Sequence, residues 1–518
     1  MPLYFLIAKS IQLCLLVYVG LAALYTTRCI LSSPYSPLSA PNISRFPTSW
    51  ARHTAPTSPF AKSSGLPASQ DLNTVPLPID ISDALWPASL SPSSSNFRFF
   101  TSALVQRLGL ASSVAVREET LLAKAFSGAL HPTRIIPFYY RANGKVDDGD
   151  VTITTLVTAN RFRVFRQLVE RYQGPISVTI HIPFPAHASL STLPASHPSV
   201  TALQHLHTLY TSSPLFAQYV DVHLALSPFA AAARGRTENE GEGEGGRQFN
   251  VWRNVARLFA RTEFVMILDV DFAVCTDWRG AVRDAIVRAG VANVSTAQDE
   301  GITMDLASGE LVQRLRDGNA ALVVPAFEYV NLDDGVDQRS FPADKESLLK
   351  LTRASPPVIT AFHASWAPGH NSTDYPRYDA IAPGSGAVYR ASQYQSAYEP
   401  YVIVSKRVSW CDERFTGYGA NKAACLFEMY LSGVSFYVLA DHFLIHQSHT
   451  YEEEARREER KYNRRLYADF KEEACLRYIE RYAREGTLHT PRGYNVQEEC
   501  KKIKSVARIA GQLLDRRT

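Results

Sequence analysis

The chain has 518 residues, 46% of them hydrophobic, and a formal net charge of +4 from 54 basic and 50 acidic side chains. That apolar share is ample for a packed core, and the length suits one large domain or two ordinary ones with tails. The near-balance of charge leaves no electrostatic footprint for nucleic acid, so nucleic acid is not expected as a partner.

From Leu3 to Tyr25 the chain is mostly apolar, interrupted by Lys9, Ser10 and Gln12. With Lys9 snorkelling, this run approaches the roughly 20 residues of a membrane-spanning helix. A cleaved signal peptide is the rival reading. No clear small-x-small cleavage site follows the apolar core, which favours an uncleaved signal-anchor over residues 1–31. Residues 32–96 are rich in Ser, Pro and Ala and bury too little apolar surface to offset ordering entropy, so they read as a disordered stem. Sequons at Asn42, Asn293 and Asn371 mildly support a lumenal location.

Beyond the stem, residues 97–450 read as the main folded domain and 451–518 as a charged helical extension. A helix is expected over Glu119–Ala129. Val151–Val157 reads as the first core strand. Phe162–Tyr172 has helical spacing, Gly174-Pro175 breaks it, and Ile176–Ile182 is the second strand. A helix over Val200–Tyr210 and a strand over Val220–Leu226 follow. This β-α-β-α-β rhythm predicts an α/β fold with a mainly parallel sheet flanked by helices. The acidic run Thr237–Gly246 (TENEGEGEGG) reads as a surface insertion. A helix over Phe249–Ala260 leads into the strand that starts at Phe264, and Ala320–Val324 is a further strand. Tyr451–Glu485 reads as a long helix packed by one apolar edge.

The strand Phe264-Val265-Met266-Ile267-Leu268 ends in Asp269-Val270-Asp271. Alternation along an extended chain would point both carboxylates the same way, at the end of the sheet where α/β ligand sites lie. A divalent cation carrying a diphosphate suits such a pair. Before that strand, Asn250, Arg253 and Asn254 sit near a helix start and could approach phosphate or base; an ordinary surface ion pair for Arg253 is the plainer alternative. Asp412-Glu413-Arg414-Phe415-Thr416-Gly417-Tyr418-Gly419-Ala420-Asn421-Lys422 combines acids, two glycines around an aromatic, and a lysine at a helix start. Gly417 and Gly419 would allow close backbone approach to a ligand, whereas a plain turn with Asn421 capping a helix is the bland reading. His446 and His449 follow an apolar strand. His446 is taken as a third metal ligand beside Asp269 and Asp271, with His449 as the alternative.

Of seven cysteines, Cys14 and Cys29 lie in or at the end of the anchor, and no C-x-x-C pair suggests zinc. The other five allow at most two bridges. Cys475 with Cys500 is the expected one, with free buried thiols equally weighted.

Several segments together resemble glycosyltransferase family 49: Gly174-Pro175-Ile176-Ser177, Asn250-x-x-Arg253-Asn254, Leu268-Asp269-Val270-Asp271-Phe272, Val324-Pro325-Ala326-Phe327-Glu328, Tyr398-Glu399-Pro400-Tyr401, the Asp412–Lys422 segment, and Phe443-Leu444-Ile445-His446-x-x-His449. The resemblance implies a GT-A fold, a single-pass type II Golgi membrane protein, Mn²⁺, a UDP-sugar donor and a glycan or glycoprotein acceptor. It also implies that the chain pairs as a homodimer. Glucuronic acid is the sugar it suggests. The Ser/Pro stem, the acidic insertion and Ala420 depart from the animal members.

On this reading, Asp269, Asp271 and His446 hold Mn²⁺ against the donor diphosphate. Asn250, Arg253, Asn254, Gly417, Gly419, Asn421 and Lys422 bind the donor. Asp412 is the candidate base that deprotonates the acceptor, and Glu413 is its alternate. Two rivals remain: a non-catalytic glycan-binding scaffold of the same fold, and a phosphohydrolase with an aspartyl nucleophile.

Overall fold

Two β-sheets organise the chain. The computed structural model describes residues 133–185, 188, 192–227, 247–291, 304–449 and 453–514, all within the unit Val75–Thr518. The expected anchor and stem, the helix over Glu119–Ala129, the acidic insertion, Asn42 and Asn293 lie outside the described residues. Among the described residues no helix is long and apolar enough to cross a membrane.

The larger sheet has ten strands. In spatial order they are β1 (Arg134–Tyr140), β4 (Val220–Ser227), β3 (Ile176–Pro183), β2 (Val151–Thr158), β5 (Phe264–Ile267), β12 (Tyr401–Ser405), β8 (Ala320–Val324), β13 (Ser435–Leu439), β11 (Ala387–Arg390) and β7 (Met304–Asp305). The smaller sheet runs β10 (Ile359–Ala361), β9 (Ala326–Tyr329), β14 (Leu444–His446), β6 (Phe272–Val274).

The expectation of a mainly parallel sheet is corrected. Strands β4, β3, β2 and β5 are parallel, as is the β8–β13 pair. The edge strand β1, the inserted strand β12, and β11 with its neighbours pair antiparallel. The cause is β12, which returns after a long excursion to fill the gap between β5 and β8. Local periodicity carries no information about such an insertion.

The helices are α1 (Phe162–Tyr172), α2 (Pro198–Thr211), α3 (Pro214–Tyr219), α4 (Phe249–Phe259), α5 (Trp278–Val291), α6 (Gly309–Arg316), α7 (Lys345–Thr352), α8 (Tyr375–Ala380), α9 (Asn421–Leu431), α10 (Glu453–Arg484), α11 (Tyr494–Cys500) and α12 (Lys504–Leu514). They cover both faces of the large sheet. On β5, Phe264 and Met266 enter one buried cluster while Val265 and Ile267 enter the other. β12 divides the same way, with Tyr401 and Ile403 against Val402 and Val404. A strand buried on both faces needs apolar residues at every position, which is why these runs are continuous rather than alternating.

Helix α4 is seated by a polar exception to that rule. Ser177 and Thr179, two apart on β3, donate from their hydroxyls to the carbonyls of Ala256 and Trp252 at 2.6 and 2.8 Å. This fixes α4, and so Arg253, over the sheet.

The carboxyl-terminal helices are part of the second core. Phe470, Ala474, Tyr478 and Tyr482, four apart on α10, are buried with Cys500, Val506 and Leu514. One apolar edge of a charged helix was expected, and it is observed. The Cys475–Cys500 bridge is also present, joining α10 to α11, and a second bridge links Cys411 to Cys425. Cys275 is a buried free thiol.

Candidate active site

Strand β5 leaves the large sheet at Leu268, whose N–H still reaches Thr154 O at 3.2 Å. A turn then carries the chain into β6 of the smaller sheet, with Phe272 N–H donating to Asp269 O at 3.3 Å. Asp269 and Asp271 therefore sit on a crossing between two sheets, not on an extended strand. Their carboxylates face different partners, which corrects the expectation from simple alternation.

Asp269 is surrounded by donors. Arg253 Nη2 donates to Oδ1 at 3.2 Å, while Lys422 Nζ and the Tyr401 hydroxyl donate to Oδ2 at 3.3 and 3.2 Å. Lys422 also lies 3.7 Å from the centre of the Tyr401 ring, a cation–π contact. Burial would raise the Asp269 carboxyl, but Lys422 and Arg253 overcome it and hold the group below the usual carboxylate range. Its side chain is still 34% exposed.

Asp271 meets a second set. Arg161 Nη2 lies 3.0 Å from Nδ1 and 3.4 Å from Nε2 of His449, and that Nε2 lies 3.3 Å from Asp271 Oδ2. Asp271 Oδ1 is buried without a hydrogen bond, with Arg161 Nη1 at 3.5 Å. His446 is a buried neighbour whose ring lies 5.3 Å from that of His449, and burial lowers its imidazole to about 3.

Among the described residues no three His, Cys, Asp or Glu side chains converge closely enough to hold a metal ion. Asp269, Asp271 and His446 are brought to one place but are not arranged as a coordination shell. The donor chemistry nevertheless fits a divalent cation: an ionised carboxylate, a second carboxylate with a buried oxygen lacking a hydrogen bond, and a neutral imidazole.

The remaining expected residues divide by role. Asn250 and Asn254, one turn apart on α4, face inward. Asn250 Nδ2 donates to Asp412 O and Asn421 O at 2.7 and 3.0 Å. Asn254 Nδ2 donates to Cys411 O and Glu413 Oε1 at 2.9 and 2.7 Å. They pin the 411–421 segment to α4 instead of presenting amides to a ligand. Asn421 Oδ1 accepts from Arg253 Nη1 at 2.6 Å, orienting the guanidinium toward Asp269.

Gly417 and Gly419 have φ of +72° and +98°. A Cβ on either would meet Glu459 or Arg460 of α10, so they make room for this helix rather than for a ligand. Asp412 and Glu413 are likewise committed. Asp412 is buried, accepts a two-armed grip from the Arg414 guanidinium at 2.8–3.1 Å, and lies outside the acid-pair contacts. Arg414 in turn pairs with Glu473 of α10. Glu413 is engaged by Asn254. Neither placement suits a base that must meet an acceptor hydroxyl.

Two carboxylates not singled out from the sequence are Glu399 and Glu328. Glu399 Oε1 accepts from Ala423 N at 3.3 Å in the first turn of α9. Burial raises its carboxyl, with Lys422 and Arg253 opposing. Glu328 Oε1 accepts from His363 N at 2.9 Å, and burial raises it as well. Both lay inside quoted segments, but their importance depends on sheet register. Tyr401 was missed for the same reason, and Arg161 because its place in the short turn after β2 has no periodic signal.

The family model described as "Glycosyl-transferase for dystroglycan" matches residues 150–479. The chain belongs to this family, glycosyltransferase family 49. The match takes in the acid pair, both glycines, both histidines and most of α10. Among relatives, the chain is 28% identical over 303 residues to "Xylosyl- and glucuronyltransferase LARGE2" of Rattus norvegicus, covering 58% of this chain and 34% of that protein. It is 29% identical over 301 residues to LARGE2 of Mus musculus, with 58% and 34% coverage. It is 23% identical over 322 residues to "Xylosyl- and glucuronyltransferase LARGE1" of Homo sapiens, with 62% and 34% coverage. The match thus spans about a third of the length of these curated relatives. Family 49 membership sets the phosphohydrolase aside, and it is consistent with the mixed α/β sheet flanked by helices.

Proposed function

We propose that this family 49 chain transfers a sugar from a UDP-sugar to a hydroxyl of a glycan acceptor, with inversion and with Mn²⁺. The carrying observation is the acid pair at the sheet crossing, with Arg253, Lys422 and Arg161 gathered against it inside the family match. The two-sheet α/β layout supports a GT-A reading. The relatives are named xylosyl- and glucuronyltransferases, which makes glucuronic acid the first donor sugar to test.

Asp269, Asp271 and His446, with His449 beside Asp271, would hold Mn²⁺, which when bound would neutralise charge on the departing diphosphate. Lys422 and Arg253 outweigh the burial of Asp269 and favour its ionised form. Arg253 can pair with a phosphate or uronate carboxylate through two N–H groups, and Lys422 contributes a compact charge. A single displacement inverts the anomeric carbon and needs no protein nucleophile. A carboxylate must still take the acceptor's proton.

The two disulfides support an oxidising compartment, in line with a lumenal catalytic part in the Golgi and an anchor over residues 1–31. The test is a donor screen of the full chain against UDP-glucuronic acid, UDP-xylose, UDP-galactose, UDP-glucose and UDP-N-acetylglucosamine, reading UDP release with and without Mn²⁺. Mn²⁺-dependent release from one donor supports the reading. Release from none would leave the scaffold interpretation standing.

A further inference from the structure

Strand β9 runs parallel to β14 with Glu328 opposite His446, and His446 in turn lies opposite Phe272 of β6. Residues in register on neighbouring strands display their side chains on one face. Glu328, His446 and Phe272 therefore form a row across the smaller sheet, and Phe272 directly follows Asp271. The Phe272 and His446 rings, 5.1 Å apart, agree with this placement. Glu328 is half-buried, and its single hydrogen bond among the described residues comes from His363 N. Asp412, Glu413 and Glu399 differ. The first two are gripped by Arg414 and Asn254, and Glu399 accepts from the first turn of α9 with Lys422 and Arg253 as its charged neighbours.

The segment that supplies the His363 N–H is itself built. His363 has a left-handed φ of +52°, so its N–H direction is set by a sharp turn. Successive turns follow: Trp366 N to His363 O at 2.8 Å, Gly369 N to Trp366 O at 3.1 Å, and Glu399 N to Gly369 O at 2.8 Å. This loop is thus tied to Glu328 at one end and Glu399 at the other. Trp366 stands between those ties, 47% exposed. A Cβ on Gly369 would fall 2.6 Å from its Cε3 and Cζ3, so the six-membered ring lies directly against Gly369. An indole supported from beneath and open to solvent is a stacking platform for a sugar ring, apolar on its face and polar at its N–H.

We propose that Glu328 is the general base of transfer and that Trp366 carries the acceptor sugar whose hydroxyl it deprotonates. This rests on the glycosyl-transfer reading above. In the step, the acceptor oxygen bonds to the donor's anomeric carbon. The bond from that carbon to the β-phosphate oxygen breaks, and its electron pair leaves on UDP. The hydroxyl proton passes to Glu328 and is later lost to water.

The test uses the full chain, its best UDP-sugar donor, Mn²⁺ and a panel of p-nitrophenyl glycosides as acceptors. Glu328→Gln should keep the wild-type melting temperature and UDP affinity yet lose transfer by about 10²–10⁴-fold. Trp366→Ala should raise the acceptor KM by about two- to tenfold, the loss of one stacking contact, with the melting temperature and UDP affinity of the wild type. Wild-type transfer in Glu328→Gln, or an unchanged acceptor KM in Trp366→Ala, overturns the inference while leaving the glycosyl-transfer reading intact. A wild-type chain that turns over no UDP-sugar overturns both.

Discussion

Glu459 of α10 occupies the space that a Cβ on Gly417 would need. Its carboxylate accepts from Tyr418 N at 2.9 Å and from both arms of the Arg247 guanidinium, while Asn463, one turn on, donates to Thr416 O and Tyr418 O at 2.7 and 2.9 Å. The glycine-flanked loop is therefore held from behind by the carboxyl-terminal helix, and its far end feeds Asn421 and Lys422 to the acid pair. Gly417→Ala combines a disfavoured φ of +72° with displacement of Glu459. The expected cost is about 2 kcal/mol or more, with a lower melting temperature and weaker UDP binding. Glu459→Gln, which keeps the volume, should cost less. Equal melting of Gly417→Ala and wild type would show that the helix does not constrain the loop.

The Arg414 grip on Asp412 favours a structural role over that of a base. Asp412→Asn weakens the grip on Arg414 and should lower stability by about 1–3 kcal/mol, read by denaturant unfolding. Transfer per folded molecule should stay within about tenfold of wild type, because the group touches no substrate. Loss of transfer at unchanged stability would return Asp412 to the chemistry.

Two buried histidines set an acid limit on stability. Phe138 donates its N–H to Nδ1 of His223 at 2.9 Å, so the ring is neutral there and its Nε2–H donates to Ser177 Oγ at 3.0 Å. Burial pushes His223 down to about 3. Burial, with Arg247 adding, pushes His181 down to about 4. Unfolded, both would titrate near 6.5. Below that pH the unfolded chain binds protons that the folded chain refuses. Stability should therefore fall as pH drops from about 6.5 toward 4, by up to about 1.4 kcal/mol per pH unit for each ring. Unfolding midpoints at pH 7 and pH 5 check this, and His223→Gln should flatten the slope. A midpoint that does not fall would contradict it.

The Cys475–Cys500 bridge closes a 25-residue separation between α10 and α11. Replacing both with Ser should cost roughly 3 kcal/mol on a chain-entropy account. Because α10 backs the glycine loop, UDP affinity should fall as well. A double variant with wild-type melting would show that packing alone holds these helices.

The parallel strands, the helices between them and the single apolar edge of the long charged helix were legible, because burial on two faces or one edge writes itself into local spacing. The antiparallel insertion of β12 was not, since it depends on which distant strand fills a gap. The acid pair was found by its place after a buried strand, yet the turn at Val270 that sends Asp269 and Asp271 to different partners left no periodic mark. Gly417 and Gly419 were read as admitting a ligand, and nothing local says that the group against them is Glu459 or Arg460 of α10. Glu328 was visible as a residue, whereas its row with His446 exists only in sheet register.

The most direct test compares the wild-type chain with Asp271→Ala in Mn²⁺-dependent UDP release from the best donor, with melting temperature measured on the same samples. The account predicts release by the wild type that stops on chelation, and none by the variant at equal stability. Equal, metal-independent release by both proteins would contradict it.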